Sequence, residues 1–300
     1  MRIGTRRSAL ALAQAALVAD MLGDCETVPI ATRGDRGAPA ADKSRWVSEL
    51  EQALTAGEID LAVHSAKDLP GELADGLALL GAPKRAASED VLCGAGSLSE
   101  LEPGARVGTS SVRRMAQLRA AREDLEVVEL HGNVDTRLAR LAEPDRGLRA
   151  IVLARAGLQR LGREREAGSV LDPKRFVPAP GQGVIALEGR ADDDDAGAAA
   201  RAISDARSLA CLRAERSLAR ELGASCNTPL GAAAETLAGG AMRMRAWIGL
   251  PDGSAFLTDE WRGESSSPEE LGGTLARRML SAGAGDLLRR AEEMAGVGCA

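Results

Sequence analysis

The sequence has few of the residues from which metal sites, disulfide frameworks and nucleic-acid surfaces are usually built. Its 300 residues contain no tyrosine, two phenylalanines and three tryptophans, so few aromatic rings are present to stack on nucleobases. Because His64 and His131 are the two histidines, a histidine-rich metal centre is excluded, and we expect no metal. Five widely spaced cysteines without a C-x-x-C pair indicate neither a disulfide framework nor a zinc knuckle. Reduced thiols of this kind are typical of a cytoplasmic protein.

A long apolar segment is also absent. No run approaches 18 apolar residues, so we expect no membrane span. Residues Met1–Arg7 carry positive charge, but the Ala-rich stretch that follows, Ser8–Leu22, contains Gln14 and Asp20. This stretch therefore predicts an amphipathic helix rather than the apolar core of a signal peptide.

Arginine is the residue that the chain has in quantity. The chain has a net charge of −6, which disfavours a protein that binds nucleic acid with its whole surface, and 34 of its 38 basic residues are arginines. Residues 101–165 carry 13 arginines against 9 acidic residues, so this region is basic within an acidic chain. Arginine holds carboxylates and phosphates through two parallel hydrogen bonds. Genome base composition can also explain the excess of arginine over lysine, but the local excess of positive charge predicts a small multi-carboxylate or phosphate ligand.

Strand-like and helix-like stretches alternate through the first part of the chain. This β-α-β pattern favours α/β units with largely parallel sheets, followed after about residue 200 by an α+β unit. The Pro- and Gly-rich segment Val177–Gly183 predicts a crossing between units. The acidic run Asp192–Asp195 predicts a solvated turn. The polar loop Thr32–Ser44 is long enough to suggest a functional loop.

A strand end, a group of hydroxyl residues and a helix start follow one another at Gly108–Arg114. The free N–H groups of a helix N-terminus, the positive end of its dipole and hydroxyl donors together form an anion site. Arg113 and Arg114 lie in the first helical turn, where positive charge opposes the dipole, so a compensating negative charge is expected close by. The pattern predicts an anion site, with a plain serine cap and solvated arginines as the alternative.

Asp68 lies in the segment His64–Pro70, directly after a buried-looking strand. Ligand crevices of α/β sheets lie at the carboxyl ends of strands. An aspartate beside a lysine is commonly a surface or loop-capping residue. If Asp68 faces the basic unit across a cleft, however, its carboxylate can stabilise a cationic intermediate and relay protons.

Cys226 differs from the other cysteines because it lies in a loop of small residues, Gly223–Gly231. A cysteine that only fills space is the common case. In a loop next to a cationic cleft, a thiolate able to form a covalent bond is the alternative.

Seven stretches, in order along the chain, resemble the porphobilinogen deaminase family, also called hydroxymethylbilane synthases. The resemblance runs from Ile3 to about Gly231. Each stretch alone is a weak signal, whereas seven in the same order are specific. The stretches are Gly4–Ala11, His64–Pro70, Gly108–Arg114, Gly132–Leu138, Ala156–Gly162, Pro180–Gly183 and Cys226.

The resemblance implies an α/β fold of three domains. The first two would resemble the lobes of type II periplasmic-binding-like proteins, and the third would be a small α+β domain. Domain 1 is expected at residues 1–86 plus 176–200, domain 2 at 87–175 and domain 3 at 201–300. The chain would return to domain 1 through Pro178–Leu187.

The resemblance also implies a transferase of tetrapyrrole and haem biosynthesis. Such an enzyme deaminates four porphobilinogen molecules, joins them head to tail onto a dipyrromethane cofactor, and releases the linear tetrapyrrole by hydrolysis. The cofactor is built from substrate and is joined by a thioether to the position of Cys226. We expect a cytoplasmic monomer with no nucleic-acid or membrane partner.

The site residues are carried over from the family pattern, because each pyrrole bears an acetate and a propionate that need cations. Asp68 is implied as the catalytic residue, which stabilises positive charge as ammonia leaves, and Thr32–Ser44 as a lid. The residues implied to bind the cofactor are Cys226, Lys67, Asp68, Thr109, Ser111, Arg113, Arg114 and Arg137. The residues implied to bind incoming substrate are Arg6, Ser8, Gln14, His131, Asn133, Arg137, Arg160 and Gln182.

Two other classes of protein compete with the enzyme. One is a non-catalytic or altered-specificity paralogue that binds pyrrole carboxylates or other small anions. The other is a solute-binding protein, which we do not expect because Ser8–Leu22 lacks a signal-peptide pattern. A covalent adduct on Cys226 distinguishes the enzyme from both.

The chain departs from the family pattern at His131, where the family usually has an arginine. A histidine side chain is mostly neutral at pH 7 and has no guanidinium fork for a carboxylate. We predict that turnover is weakened and pH-sensitive for this reason. His131→Arg should raise the rate and flatten its decline between about pH 6 and pH 8, measured as initial rates across that range. An unchanged rate and pH profile would contradict the prediction.

Overall fold

The computed structural model describes residues 1–32, 44–224 and 228–294, without the side chains of 44–46. Residues 33–43 of the predicted lid, and Cys226, lie outside the described residues. In chain order, the strands of the described part are β1 (Arg2–Arg6), β2 (Glu26–Ile30), β3 (Leu61–Ser65), β4 (Leu77–Gly81), β5 (Asp90–Cys93), β6 (Arg106–Thr109), β7 (Glu126–Glu129), β8 (Leu148–Ala154), β9 (Ser169–Val170), β10 (Ile185–Arg190), β11 (Leu230–Thr236), β12 (Ala241–Gly249) and β13 (Phe256–Glu264). The α-helices are α1 (Ala9–Leu22), α2 (Ser44–Thr55), α3 (Val112–Ala121), α4 (Val134–Leu141), α5 (Arg155–Arg160), α6 (Asp194–Ala202), α7 (Ala206–Glu221), α8 (Pro268–Ser281) and α9 (Ala284–Met294).

Two five-stranded sheets have corresponding strand arrangements. We call each sheet together with its helices a lobe, the first lobe and the second lobe. The first sheet has the order β2-β1-β3-β10-β4 and the second has the order β7-β6-β8-β5-β9. In each sheet three parallel strands are followed by a strand that runs antiparallel to both of its neighbours, which is β10 in the first and β5 in the second. The predicted pair of type II periplasmic-binding-like lobes is therefore confirmed.

The third unit is a three-stranded antiparallel sheet, β11-β12-β13, covered by α7, α8 and α9. Its core includes the fully buried side chains of Leu218, Met242, Met244 and Leu275. This arrangement is the small α+β unit expected from the sequence. The residue boundaries of the three predicted domains stay predictions.

The acidic run Asp192–Asp195 is mostly exposed and includes a turn at Asp192, as the sequence predicts, but it also begins helix α6, which the sequence analysis did not predict. Asp193 is the N-cap residue, and its Oδ1 accepts a hydrogen bond from Ala196 N at 2.9 Å. Asp194 and Asp195 lie in the first turn, where negative charge interacts favourably with the helix dipole. A run of acids is thus a helix start here.

Strand β10 begins inside Pro178–Leu187, the segment that the resemblance implies as the return of the chain to domain 1. It contains Glu188, which is fully buried and lies 2.9 Å from His64 Nε2 across the β3–β10 pairing. Because Glu188 is charged but buried, the sequence of β10 does not show the continuous apolar run expected of a buried strand. The hydrogen bond from Ala66 N to Val184 O, at 3.0 Å, joins the start of this strand to the end of β3.

Helices α7 and α8 touch closely at Gly272, and this contact gives a stability prediction. A Cβ at Gly272 would lie 2.2 Å from Ala214 O, whereas a Cβ at the neighbouring Gly273 would meet only the movable guanidinium of Arg277, at 3.2 Å. Gly272→Ala should therefore lower the free energy of unfolding by about 2 kcal/mol or more, as overpacked core substitutions do.

Gly273→Ala is the matched control, because it changes the same helix one residue away. It should be neutral or stabilising by about 0.5–1 kcal/mol through helix propensity. Urea unfolding of both variants measures the difference. Equal effects of the two substitutions would contradict the close contact of α7 with α8.

Candidate active site

A partly open cavity of about 70 Å³ lies between the two lobes. Its walls come from the carboxyl ends of β3 and β8, from α3, α4 and α5, and from residues 181–184 before β10. This is the edge of an α/β sheet at which ligand crevices are found. The lining residues are Leu10, Ser65, Lys67, Arg114, Val134, Arg137, Leu153, Ala154, Ala156, Gly157, Arg160, Gly181, Gly183 and Val184.

Lys67 lines this cavity, and Asp68 follows it on one turn of 3-10 helix, Ala66–Asp68, directly after β3. Burial lowers the pKa of Lys67 to about 8; the charge of Asp68 opposes this change and the charge of Arg114 adds to it. A lysine with a lowered pKa is a cation that an incoming anion would stabilise. The negative charge of Asp68 acts on Arg137 as well, so Asp68 lies within a group of cations.

Arg137 and Arg160 enter the cavity from the second lobe with little of their hydrogen-bonding capacity used. Arg137 Nη2 donates to Ser110 Oγ and Arg160 Nη2 donates to Gly183 O, each at 2.7 Å. Burial lowers the pKa of both side chains to about 10. Within residues 1–32, 44–224 and 228–294, neither guanidinium has a carboxylate within ion-pair distance. Both guanidinium groups therefore retain N–H donors that an anion could accept from.

Arg113 and Arg114 bind a carboxylate of the chain itself, and this revises their expected roles. Arg113 Nη1 lies 2.8 Å from Asp90 Oδ2, and Arg114 Nη2 lies 2.7 Å from Asp90 Oδ1. All three side chains are buried. Asp90 is thus the compensating negative charge expected from two arginines in one helical turn. Arg114 still lines the cavity, whereas Arg113 donates to Val177 O and lies outside the lining.

Four of the predicted ligand residues accept hydrogen bonds from backbone N–H groups at or near helix starts. The side chains of Ser8, Ser111 and Asn133 accept from the backbone N–H groups of Ala11, Arg114 and Thr136, at 3.3, 3.4 and 2.8 Å. Thr109 Oγ1 accepts from Ser111 N at 3.2 Å. Capping leaves the hydroxyl protons of the serines and the threonine available to donate to an anion.

Gln14 and Gln182 are both about 1 % exposed. Gln14 Oε1 accepts from Ser65 Oγ at 3.0 Å, next to the cavity, and its Nε2 has no hydrogen-bond partner among the described residues. Gln182 Nε2 donates to Asp90 Oδ1 at 2.8 Å, so Gln182 lies behind the cavity wall rather than in it.

His131 is not gathered into the cavity. Its side chain is 61 % exposed, and its Nε2 lies 2.9 Å from Glu129 Oε1. Asn133 is exposed as well, and Arg6 is half-buried at the carboxyl end of β1. The substrate roles of these residues stay predictions.

The sequence analysis misses three residues that organise the site: Asp90, Ser110 and Gly183. Asp90 supplies the buried counter-charge, Ser110 holds Arg137, and Gly183 O holds Arg160. The two arginines at the start of α3 signal that a counter-charge exists, but nothing local identifies which acid supplies it. Ser110 lies within the Gly108–Arg114 motif, so its role could have been predicted together with those of Thr109 and Ser111.

Within the part of the chain that the structure describes, no group of three or more His, Cys, Asp or Glu residues could hold a metal ion. No helix in the same residues has the length and apolar character needed to cross a membrane.

Comparison with known families gives two adjacent matches. Residues 1–198 match the family model described as porphobilinogen deaminase, dipyromethane cofactor binding domain, and residues 209–281 match the porphobilinogen deaminase C-terminal domain. The porphobilinogen deaminase of Thermus thermophilus is 46% identical over 296 residues, covering 95% of this chain and 97% of its own length. The porphobilinogen deaminase of Deinococcus radiodurans is 42% identical over 307 residues, covering 97% and 98%.

Solved structures with a similar arrangement include the methionine binding protein MetQ. It covers 68% of this chain and 87% of its own, with 18% identity and a TM-score of 0.41. A nutrient binding protein from Burkholderia cenocepacia bound to methionine covers 68% and 90%, with 12% identity and a TM-score of 0.42.

The buried pairing of Asp90 gives a stability prediction. Asp90→Asn leaves two buried guanidinium groups without a carboxylate and should lower the free energy of unfolding by about 3–5 kcal/mol at pH 7. Burial alone would raise the pKa of Asp90, but the charges of Arg113 and Arg114 outweigh it and hold the pKa well below its usual range. The loss should therefore stay constant from pH 7 to pH 5 and shrink only as the pH falls below about 4.

Asp124→Asn is the control, because Asp124 also forms two hydrogen bonds with an arginine, Arg122, but at the surface. Its effect should be much smaller, since solvent screens exposed pairs. Urea unfolding at several pH values measures both variants. A loss for Asp90→Asn no larger than that of the control would show that the buried pairing is not needed.

Proposed function

Because this chain belongs to the porphobilinogen deaminase family, we propose that its interlobe cavity joins porphobilinogen units through Asp68, Lys67, Arg137 and Arg160. The activity is that of a hydroxymethylbilane synthase, a transferase of tetrapyrrole biosynthesis. Four porphobilinogen molecules lose ammonia and are joined head to tail, and the linear tetrapyrrole is released by hydrolysis. Dipyrromethane is the cofactor.

The observation that carries the residue assignment is a group of cations that form no ion pair within residues 1–32, 44–224 and 228–294. Lys67, Arg137 and Arg160 line one cavity, and burial lowers the pKa of each. Each porphobilinogen unit brings two carboxylates, so a growing chain accumulates negative charge. Cations that are already desolvated attract such a ligand more strongly than solvated ones do. We assign Arg160 to incoming substrate and Arg137 to both substrate and cofactor.

Asp68 is assigned the chemical step. As the carbon–nitrogen bond of the aminomethyl group breaks, ammonia takes a proton with it and positive charge develops on the pyrrole ring. A carboxylate placed beforehand stabilises that charge without reorganising water. Asp68 is half-buried beside Lys67, and its carboxylate can relay a proton in the reaction.

The described residues fit a polycarboxylate cofactor. Buried polar atoms without partners include Gln14 Nε2 and Arg137 Nε. When bound, the dipyrromethane supplies the chain end to which the first unit is joined. Its carboxylates would be held by Lys67, Arg114 and Arg137. The hydroxyls of Thr109 and Ser111 would add hydrogen bonds, and Cys226 would provide the thioether.

Arg113 is assigned a different role from the one that its family position implies. It would hold Asp90 and Val177 O and so orient Arg114, rather than touch the cofactor itself. Gln182 would act in the same way through Asp90. Ser8, Gln14, Asn133, His131 and Arg6 are retained as candidate contacts for incoming substrate.

We further propose that the protein works as a cytoplasmic monomer. The three cysteines of the described residues, Cys25, Cys93 and Cys211, are free, as expected in a reducing compartment. Both lobes of the cavity come from one chain, so a second copy is not needed to complete it.

The assignment of Asp68 gives a kinetic prediction. Asp68→Asn should lower kcat by about 100-fold or more, because the charge that stabilises the developing cation is lost. Asp75→Asn is the matched control, since Asp75 is an exposed aspartate in the loop that follows the same turn. It should retain wild-type kcat. Thermal unfolding of both variants checks that the fold is intact.

Intact mass completes the test, because it detects the cofactor without measuring turnover. The wild-type chain should carry a covalent dipyrromethane, and Cys226→Ala should lack it, whereas Cys25→Ala should keep it. Retention of the adduct by Cys226→Ala contradicts the attachment site. A kcat within tenfold of wild type for Asp68→Asn contradicts its catalytic role.

A further inference from the structure

A buried carboxylate of the third unit lies outside the cavity and has no part in the steps described so far. Glu215 is on α7 and is fully buried. Its Oε1 accepts from Arg85 Nη1 at 2.6 Å and from Ala234 N at 2.8 Å. Its Oε2 accepts from Gly181 N at 2.6 Å. One side chain therefore binds three separate segments of the chain.

The bond to Gly181 leads directly to the proposed catalytic turn. Gly181 has φ +73°, and a Cβ there would lie 2.9 Å from Ala66 Cβ and 3.0 Å from Lys67 N. The backbone of Gly181 thus packs against the turn that carries Lys67 and Asp68. The carboxylate of Glu215 accepts a hydrogen bond from the amide of Gly181. Glu215 therefore fixes the position of the backbone against which the Lys67–Asp68 turn packs.

The bond to Arg85 leads to the second lobe. Arg85 Nε donates to Gln182 O at 2.9 Å, and Gln182 Nε2 donates to Asp90 Oδ1 at 2.8 Å. Asp90 in turn holds Arg113 and Arg114. A series of hydrogen bonds, partly buried at Arg85 and buried at Asp90, therefore runs from the third unit to Arg114 in the cavity wall.

The bond to Ala234 fixes α7 against β11. Cys226 lies in the chain between these two elements, so their relative position sets where the ends of its loop begin and finish. Glu215 is consequently joined both to the elements that flank Cys226 and to the glycine beneath Asp68.

We propose that Glu215 is a positioning residue for the reaction, holding Gly181 and Arg85 so that the Lys67–Asp68 turn keeps its place relative to the elements that flank Cys226. This inference rests on the proposed function of Asp68 and Cys226. A carboxylate suits the role because both of its oxygens accept, and all of its described partners are N–H donors. A glutamine would turn an NH₂ group toward one of them.

The test compares Glu215→Gln with Glu260→Gln. Glu260 is also paired with an arginine in the third unit, Arg245, but has no bond to residues 177–184. For Glu215→Gln we expect kcat to fall about ten- to a hundredfold with a smaller change in KM, because displacement of a catalytic group slows chemistry more than binding. Glu260→Gln should keep both constants.

Hydrogen exchange provides a readout that is independent of turnover. In Glu215→Gln, peptides covering residues 178–184 and 65–70 should exchange faster than in the wild type, whereas the peptide covering β1 should not change. The exchange measurement tests the positioning role of Glu215 even if the wild type shows no turnover. Failure of the proposed function can therefore be distinguished from failure of this inference. Faster exchange throughout the chain, or unchanged kcat, overturns the proposal.

Gly181→Ala serves if Glu215→Gln does not fold. It leaves the carboxylate in place but drives a Cβ toward Ala66, so it displaces the same turn from the other side. We expect the same fall in kcat and the same local exchange at residues 65–70. Wild-type kcat in this variant overturns the proposal.

Discussion

Half-buried positive charge that forms no ion pair among the described residues is the constraint on which the interlobe cavity depends. Lys67, Arg137 and Arg160 lie in one cavity, and burial lowers the pKa of Lys67 to about 8 and of the two arginines to about 10. Arg113 and Arg114, by contrast, pair with the buried carboxylate of Asp90. In the proposed function, the ligand supplies the negative charge that the first group lacks. A substrate that adds two carboxylates at every step is suited to such a wall.

The segment that crosses between the lobes connects this wall to the rest of the molecule. Val177 O accepts from Arg113, the Gly181 amide donates to Glu215, and Gly183 O accepts from Arg160. The bonds to Arg113 and Arg160 reach the second lobe, and the bond to Glu215 reaches the third unit. Glycine is needed at Gly181 because the backbone has a positive φ and packs against Ala66. The geometry of the cavity is thus set by backbone groups that side chains from the second lobe and the third unit hold in place.

Local signals predicted the starts of α1 and α3 from the sequence, because capping is decided within a few residues, and Ser8 and Ser111 are the N-cap residues there. The start of α6 was missed, because its N-cap residue, Asp193, lies in an acidic run that was predicted as a solvated turn. Long-range counter-charges were missed. Asp90 lies more than twenty residues from its arginines, and Glu215 lies far along the chain from both Arg85 and Gly181. The family pattern named Lys67, Arg114, Arg137 and Arg160, which line the cavity, and Arg113, which pairs with Asp90 outside the lining. Their roles toward a ligand stay predictions. Strand β10 escaped because a buried Glu188 interrupts its apolar pattern.

The pKa of Lys67 tests the central claim most directly, since it reports whether the cavity holds unpaired positive charge that a carboxylate ligand neutralises. The chain has four lysines, so ¹³C labelling at Cε gives few signals, and Lys67→Arg assigns the relevant one. In the Cys226→Ala protein, which cannot attach the cofactor, the titration should give a pKa of about 8. In the protein that carries dipyrromethane, the pKa should rise toward its ordinary value of about 10.4. The same pKa in both forms would contradict the account.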